Sequence, residues 1–284
     1  GPGALQLALQ SCYASEAGVA VAEARRVTRS RRPPPGSSLM DCYQIMRLIG
    51  EGNFGTVYEA RDVRDRDARG EAAQRRCALK ILHRQKYRMD GMMLRARHER
   101  QVLKAARHPF IVRLLCAFRT PLRELALVME YCPNGDLNEL VVRRGNPGLA
   151  ESLARRLLAE LLLALQYLHE EMDVVFRDLK PENVVLDSAM HAKLTDFGLV
   201  KVNVTLDEGA QSFVGSTCYV APEVTAFDCE PYGKAVDLYA LGLVSWVCLT
   251  GGVRVVLIPE DVGVGGQAGA VAERAEPPPC HEVL

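Results

Sequence analysis

Between Tyr43 and Leu82 the apolar residues come in short runs, Tyr43 to Ile49, Thr56 to Ala60 and Cys77 to Leu82, broken by glycine and charged turns. Runs of this length and spacing predict strands of an antiparallel meander. The segment Arg61 to Arg76 between the last two is dense in Arg and Asp and predicts a solvated, extended hairpin loop. Farther along the period changes. Met89 to Arg107 and Ser152 to Glu171 read as helices, the second with leucine recurring at 157, 158, 161, 162, 165 and 168. Leu238 to Val253 is uncharged but contains Ser, Thr and a Gly-Gly pair, and it is short for a membrane span. It predicts a buried core helix, Ala235 to Leu249. A β-rich part followed by a helical part makes an α+β chain of two lobes, the small one with a single helix.

The two ends lack this texture. Residues 1–42 pass from an Ala/Leu-rich start into a basic, Pro-rich string, Arg25 to Ser38, and are expected to be a disordered tail. Residues 253–284 are rich in Gly, Val and Pro without helical period. Composition adds exclusions. Basic and acidic residues number 35 each, so no whole-protein field draws the chain to nucleic acid or an acidic membrane. With 48% hydrophobic and 25% charged residues the chain is globular in type, not low-complexity. Its nine cysteines include no C-x-x-C pair. They read as reduced thiols, hence an intracellular and cytoplasmic setting, without a disulfide frame or zinc site.

Candidate chemistry starts at Gly50-Glu51-Gly52-Asn53-Phe54-Gly55-Thr56-Val57, between two strand-like runs. A dinucleotide-binding fold needs a helix after the last glycine, and here a strand continues. A plain glycine hairpin and a backbone cradle for a triphosphate both remain open at this point. Five further signals follow in order. Lys80 ends the strand-like Cys77-Ala78-Leu79-Lys80, where an ammonium can hold phosphates, and Glu99 on the next helix can pair with it. Then come Phe176-Arg177-Asp178-Leu179-Lys180-Pro181-Glu182-Asn183, Asp196-Phe197-Gly198 and Ala221-Pro222-Glu223.

Taken together, this set resembles the protein kinase signature, departing only where Phe176 stands for the first residue of H-R-D-L-x-x-x-N. The resemblance covers about residues 43–252, with a small lobe over 43–130 and a large lobe over 131–252. Within the family the chain is most similar to the AGC group of serine/threonine kinases. That likeness rests on Val128-Met129-Glu130-Tyr131, the aromatic at 176, the uninterrupted Arg-Asp-Leu-Lys-Pro-Glu-Asn, and Ser212-Phe213-Val214-Gly215 ahead of Ala-Pro-Glu.

The resemblance implies a bilobal fold and ATP-dependent phosphorylation of protein Ser/Thr hydroxyls with Mg²⁺. It implies that Asp178 orients the acceptor hydroxyl and that Lys180 neighbours the transferring phosphate, with Lys80 and Glu99 as the phosphate-holding pair. Asn183 and Asp196 would hold Mg²⁺. Ile49, Gly50, Gly52, Asn53, Phe54, Gly55, Val57, Ala78 and Val185 would enclose the nucleotide. The backbones of Glu130 and Cys132 would meet the adenine edge, with Met129 guarding the space behind it and Asp136 completing the set. Leu103, Leu114, Phe176 and Phe197 match the family's internal apolar stack, anchored by Asp237.

Regulation and substrate choice are implied as well. Ser212 stands where the AGC group carries an activating phosphate added by an upstream kinase, with Arg177 and Lys201 as the receiving cations. Ser216 matches the hydroxyl that bonds the catalytic Asp. Glu182 matches a contact to basic residues near the acceptor, and Arg25-Arg26-Val27-Thr28 resembles such a target within the chain itself. Past Gly252 the family's further large-lobe helices are not matched, so the chain is expected to be truncated there. An uncovered helix would then expose Leu241, Leu243, Val244, Trp246 and Leu249, and a partly buried Glu223 would lack its partner. The alternative reading is a catalytically impaired, kinase-like ATP-binding or regulatory module.

Overall fold

A computed structural model describes residues 38–52, 55–64, 75–83, 92–202, 217–225 and 232–251. Asn53, Phe54, Ser212, Ser216, the basic tail with Arg25 to Thr28, most of the Arg/Asp-rich loop and residues 253–284 lie outside the described residues.

The meander is present and longer than the apolar runs suggested. Strands β1 (Tyr43–Gly52), β2 (Gly55–Asp62), β3 (Arg75–Leu82), β4 (Leu114–Arg119) and β5 (Leu125–Glu130) form one sheet in the order β1-β2-β3-β5-β4. All pairs are antiparallel. The strands outrun the apolar runs because charged residues beyond them continue the ladder, Arg61 opposite Arg76 and Asp62 opposite Arg75. In this sheet the helix α1 (Met92–Ala105) intervenes between β3 and β4.

Alternation assigns the two faces of the sheet. Cys77, Leu79 and Ala60 point into a cluster with Tyr43, Phe118, Ala126 and Val128. Val57, Glu59, Ala78 and Lys80 stand on the other face, since Val57 pairs with Lys80 and Glu59 with Ala78. Gly55 has a packing reason to lack a side chain: a Cβ there would run into the Ile81 carbonyl of the neighbouring strand. Around Gly52 a Cβ meets nothing within 4 Å, and that side of the loop is open.

The large lobe is built on α2 (Leu137–Arg144), α3 (Glu151–Glu170), α4 (Pro222–Thr225) and α5 (Ala235–Thr250). Two short ribbons accompany them, β6 (Val174–Val175) with β9 (Lys201–Val202), and β7 (Val184–Leu186) with β8 (Ala192–Leu194). Along α3, Ala154, Leu157, Leu161, Ala164, Leu165 and Leu168 are fully buried. Each fully buried leucine contributes about 1.5–3 kcal/mol, which holds this helix at the centre. The buried stripe is narrower than the leucine pattern implied: Leu162 is 47% exposed, because it falls on the far side of the 3.6-residue period.

Helix α5 is tied at both ends. Asp237, 1% exposed, enters the first turn, and at the other end Leu149 N–H donates to Cys248 O at 2.7 Å. Gly148 lies so close that a Cβ would come within 2.6 Å of both Cys248 O and Gly251 N, at a backbone φ of 99°. Two expectations about this region are corrected. Val244 is fully buried, since it faces α3, and the exposed apolar residues are Leu238, Trp246 and Leu249. Glu223 is exposed, so its carboxylate carries no burial cost. Among the described residues no helix is long and apolar enough to cross a membrane.

Candidate active site

The site grows from the ends of β3, α1 and the two loops that follow α3. At the end of β3, Lys80 is turned to the cleft face by strand alternation, and its Nζ donates to Glu99 Oε1 at 2.7 Å and Asp196 Oδ1 at 2.8 Å. Glu99 is brought there because it lies on the inward side of α1 with Val102 and Leu103. Burial works against the Lys80 charge, but the two carboxylates outweigh it and hold its pKa above the ordinary lysine value. Burial likewise pushes the Glu99 carboxyl up, with Lys80 opposing. For Asp196 burial acts upward too, and Lys80 with the Gly198 N–H brings it below the usual carboxylate value.

The loop after β6 is set by one buried carboxylate. Asp237 Oδ2 accepts from Phe176 N–H at 2.8 Å and Oδ1 from Arg177 N–H at 2.7 Å. Arg177 needs that support, because its φ of 68° is left-handed and costs a non-glycine residue about 1 kcal/mol or more. With the turn held, Asp178 projects beside Asn183, whose Nδ2 donates to Asp178 O at 2.8 Å and Oδ2 at 2.7 Å. Lys180 Nζ stands 3.4 Å from Asp178 Oδ2. Asp196 is the second strained residue, with φ 57°, and its Oδ1 accepts from Gly198 N–H at 3.3 Å as well as from Lys80. Phe197 after it is buried edge-on against Phe176, ring centres 5.2 Å apart. Leu103 and Leu114 belong to the same core.

The family profile of the protein kinase domain matches residues 43–256. The chain belongs to the protein kinase family. Its likeness is to serine/threonine members of AGC type. It is 36% identical over 211 residues to ribosomal protein S6 kinase beta of Caenorhabditis elegans, covering 74% of this chain and 36% of that relative. To RAC-beta serine/threonine-protein kinase A of Xenopus laevis it is 35% identical over 244 residues, covering 86% and 47%. To serine/threonine-protein kinase SCH9 of Candida albicans it is 38% identical over 206 residues, covering 72% and 24%. The chain spans 25% to 47% of the length of the first curated relatives it matches.

In this kinase domain the residues picked out for the adenine also come together. Ala78, Cys132 and Val185 are partly buried against one core, and Met129 behind them is 4% exposed. Val57 pairs directly with Lys80 and is half-buried on the same face, and Ile49 at the tip of β1 is 38% exposed. Glu130 N–H donates to Arg113 O at 3.0 Å, which fixes the backbone at the end of β5. Asp136 caps α2 by accepting from Glu139 N–H at 2.8 Å and bridges to Val185. Burial raises its carboxyl, with Glu139 and Glu182 adding to the effect. Glu182 itself is exposed.

The donor set fits a hard cation. Asp196 brings a carboxylate, and Asn183 has turned its amide nitrogen to Asp178, which leaves the carboxamide oxygen outside those bonds. These oxygen donors lie side by side, since Thr195 N–H, next to Asp196, donates to Asn183 O at 3.0 Å, and with Lys80 on Asp196 at 2.8 Å they suit a metal-bound triphosphate.

Three participants escaped sequence reasoning. His98 on α1 has its pKa lowered by burial and by the nearby charges of Lys201 and Arg177, which places three basic groups together. Lys201 is exposed on β9, opposite Val175 and so two residues from Arg177. His169 Nε2 lies 2.7 Å from Asp237 Oδ2, a pairing across 68 positions that no local pattern signals. Thr56 Oγ1, just past Gly55, lies 2.7 Å from His83 Nε2, whose Nδ1 is 3.1 Å from Glu124 Oε1. A hydroxyl directly after the glycine loop was the available clue.

Proposed function

We propose that this chain transfers the γ-phosphate of ATP to serine or threonine hydroxyls of protein substrates. The observation that carries the reading is the convergence of Lys80, Glu99 and Asp196 at 2.7–2.8 Å with Asp178 held by Asn183 at 2.7 Å. Phosphoryl transfer asks little covalent work of a protein, so position and charge are what these residues must supply. Lys80 holds α- and β-phosphate oxygens, and Glu99 keeps its ammonium in place. Asp178 orients the acceptor hydroxyl and takes up its proton as the bond to the γ-phosphorus forms and that to the bridging oxygen breaks, releasing ADP, while Lys180 balances charge beside it. Asn183 and Asp196 would hold Mg²⁺, which neutralises phosphate charge when bound.

The finer assignments rest on the same reading. Residues 43–130 and 131–252 act as the two lobes, with the nucleotide between them; ahead of β1 the expected tail is corrected at its end, where Leu39–Cys42 forms a 3-10 turn capped by Ser38 and Cys42 is buried with Tyr43 and Phe118. A phosphate on Ser212, placed by an upstream kinase, would be received by Arg177, Lys201 and His98, ordering the loop through charge-assisted bonds. If Ser212→Ala turns over peptide as fast as wild type, that assignment is wrong. Glu182, with Asp136 and Glu139 near it, favours substrates with basic residues by the acceptor. An intracellular, cytoplasmic setting agrees with the free cysteines among the described residues.

The test is incubation of the purified chain with γ-labelled ATP and Mg²⁺ and a basic peptide carrying Ser, Ala or Tyr at one position. Label on the serine peptide alone is expected. No label on it, with ATP bound, would show a nucleotide-binding module instead.

A further inference from the structure

The cleft face of the small-lobe sheet carries a second charged cluster, at the end away from Lys80. Arg47 pairs with Glu59 across β1 and β2, and Glu59 with Ala78 across β2 and β3, so Arg47, Glu59 and Arg76 share the face that bears Ala78, Val57 and Lys80. Glu59 is 6% exposed, unusual for a carboxylate, and it is fully engaged. Its Oε2 accepts from Arg47 Nε at 2.8 Å and its Oε1 from Arg76 Nε at 2.6 Å. These guanidiniums then reach one further residue. Arg47 Nη2 donates to Tyr131 Oη at 3.1 Å, and the Arg76 guanidinium lies 4.2 Å from the centre of the Tyr131 ring. The Arg76 bond chiefly, with Arg47 and Tyr131, holds the Glu59 carboxyl down to about 2.

Tyr131 is the residue between Glu130 and Cys132, whose backbone is expected to meet the adenine edge. It follows β5, where the chain leaves the sheet for the large lobe. A hydrogen bond and a cation–π contact, on cations fixed by one carboxylate, tether this crossing to three strands of the sheet. We propose that Glu59 is a positioning residue for ATP binding: through Arg47 and Arg76 it locks Tyr131, and so sets the backbone of residues 130–132 against the sheet that covers the adenine. The idea rests on the kinase reading above. A surface ion pair with no further role would leave nucleotide binding unchanged, because its partners, Arg47 and Arg76, are 63% and 45% exposed and such pairs add little by themselves.

The test compares wild type, Glu59→Gln and Tyr131→Phe, measuring ADP affinity by titration calorimetry and KM for ATP and kcat with a saturating peptide. Glu59→Gln is expected to weaken ADP binding and raise KM about tenfold, the worth of one charge-assisted bond, with kcat within about twofold. Tyr131→Phe keeps the ring under Arg76 and loses the Arg47 bond, so an intermediate shift is expected. The double variant should be no weaker than Glu59→Gln alone, since both act through one tether. Unchanged ADP affinity in well-folded Glu59→Gln and Tyr131→Phe, or a fall in kcat with constant KM, overturns the proposal. A wild type that binds no ADP overturns the kinase reading first and this one with it.

Discussion

Replacing Lys80 by methionine isolates the electrostatics of the site from its shape. Lys80 and Glu99 side chains are 6% and 2% exposed, and their contact is 2.7 Å. Methionine fills most of the lysine volume, so the packing survives and the ammonium is lost. Glu99 is left as an unpaired buried acid, whereas Asp196, at 37% exposed, can still be hydrated. Breaking a buried pair at one partner costs about 3–5 kcal/mol. For a domain of this size that corresponds to a fall in Tm of roughly 6–20 °C. The loss should depend on pH with a definite sign. Burial raises the folded pKa of Glu99, so the penalty is fully present above that pKa and fades as pH falls towards the ordinary carboxylate value, because the proton removes the charge. Thermal unfolding of Lys80→Met and of Lys80→Met with Glu99→Leu, at pH 7.5 and pH 5 without nucleotide, checks each step. The double variant should recover most of the lost Tm at pH 7.5, and the single variant should recover part of it at pH 5. A double variant no more stable than the single one refutes the reasoning, since the cost would then lie in something other than the orphaned acid.

Gly55→Ala should cost about 1–3 kcal/mol in urea unfolding, because the new Cβ meets the backbone of Ile81 and Leu82 rather than a movable side chain. Gly52→Ala, with open space around it, should leave stability within about 0.5 kcal/mol and instead lower ATP affinity in direct titration. Asp237→Asn should cost about 1–3 kcal/mol, as an amide nitrogen must oppose one of the N–H donors of Phe176 or Arg177, and kcat should fall as the left-handed turn at Arg177 relaxes. For His108, burial first and then Lys193 lower the pKa from 6.5 to about 4. Its folded form resists the proton, so stability is full above pH 6.5 and declines as pH falls towards 4, by at most about 3 kcal/mol. Measured Tm against pH should flatten in that window for His108→Gln and stay sloped for wild type.

The parts of the fold legible in the chain are those whose signal is local. The short apolar run Cys77 to Leu82 reports a strand and the leucine spacing of α3 reports its buried side, and both hold with small shifts of boundary. The strand β5 was less visible because Leu125 to Glu130 is nearly continuous in apolar residues, as befits a strand covered on both faces. The catalytic set was legible for a different reason: phosphoryl transfer fixes residue types at short spacings, as in Asp178 to Asn183. What could not be read were the partners of buried charges that no motif marks. Asp237 and His169 meet across 68 residues, and Glu59 gathers Arg47 and Arg76 from the two flanking strands and, through them, Tyr131 from the crossing segment. The role of Gly55 shows the limit from the other side. Its place in the glycine pattern pointed to phosphate, while its neighbour Ile81 supplies a packing reason of its own.

Single-turnover transfer separates the action of Asp178 on the acceptor from the service of Lys80, Asn183 and Asp196 to the nucleotide. Wild type and Asp178→Asn are each mixed with limiting γ-labelled ATP, Mg²⁺ and excess serine peptide, and labelled peptide is followed alongside ATP affinity. Asp178→Asn should bind ATP within about twofold of wild type yet transfer phosphate about 10²–10⁴-fold more slowly, the usual worth of a positioned base. Equal transfer rates, or wild-type transfer no faster than that of the variant, would contradict it.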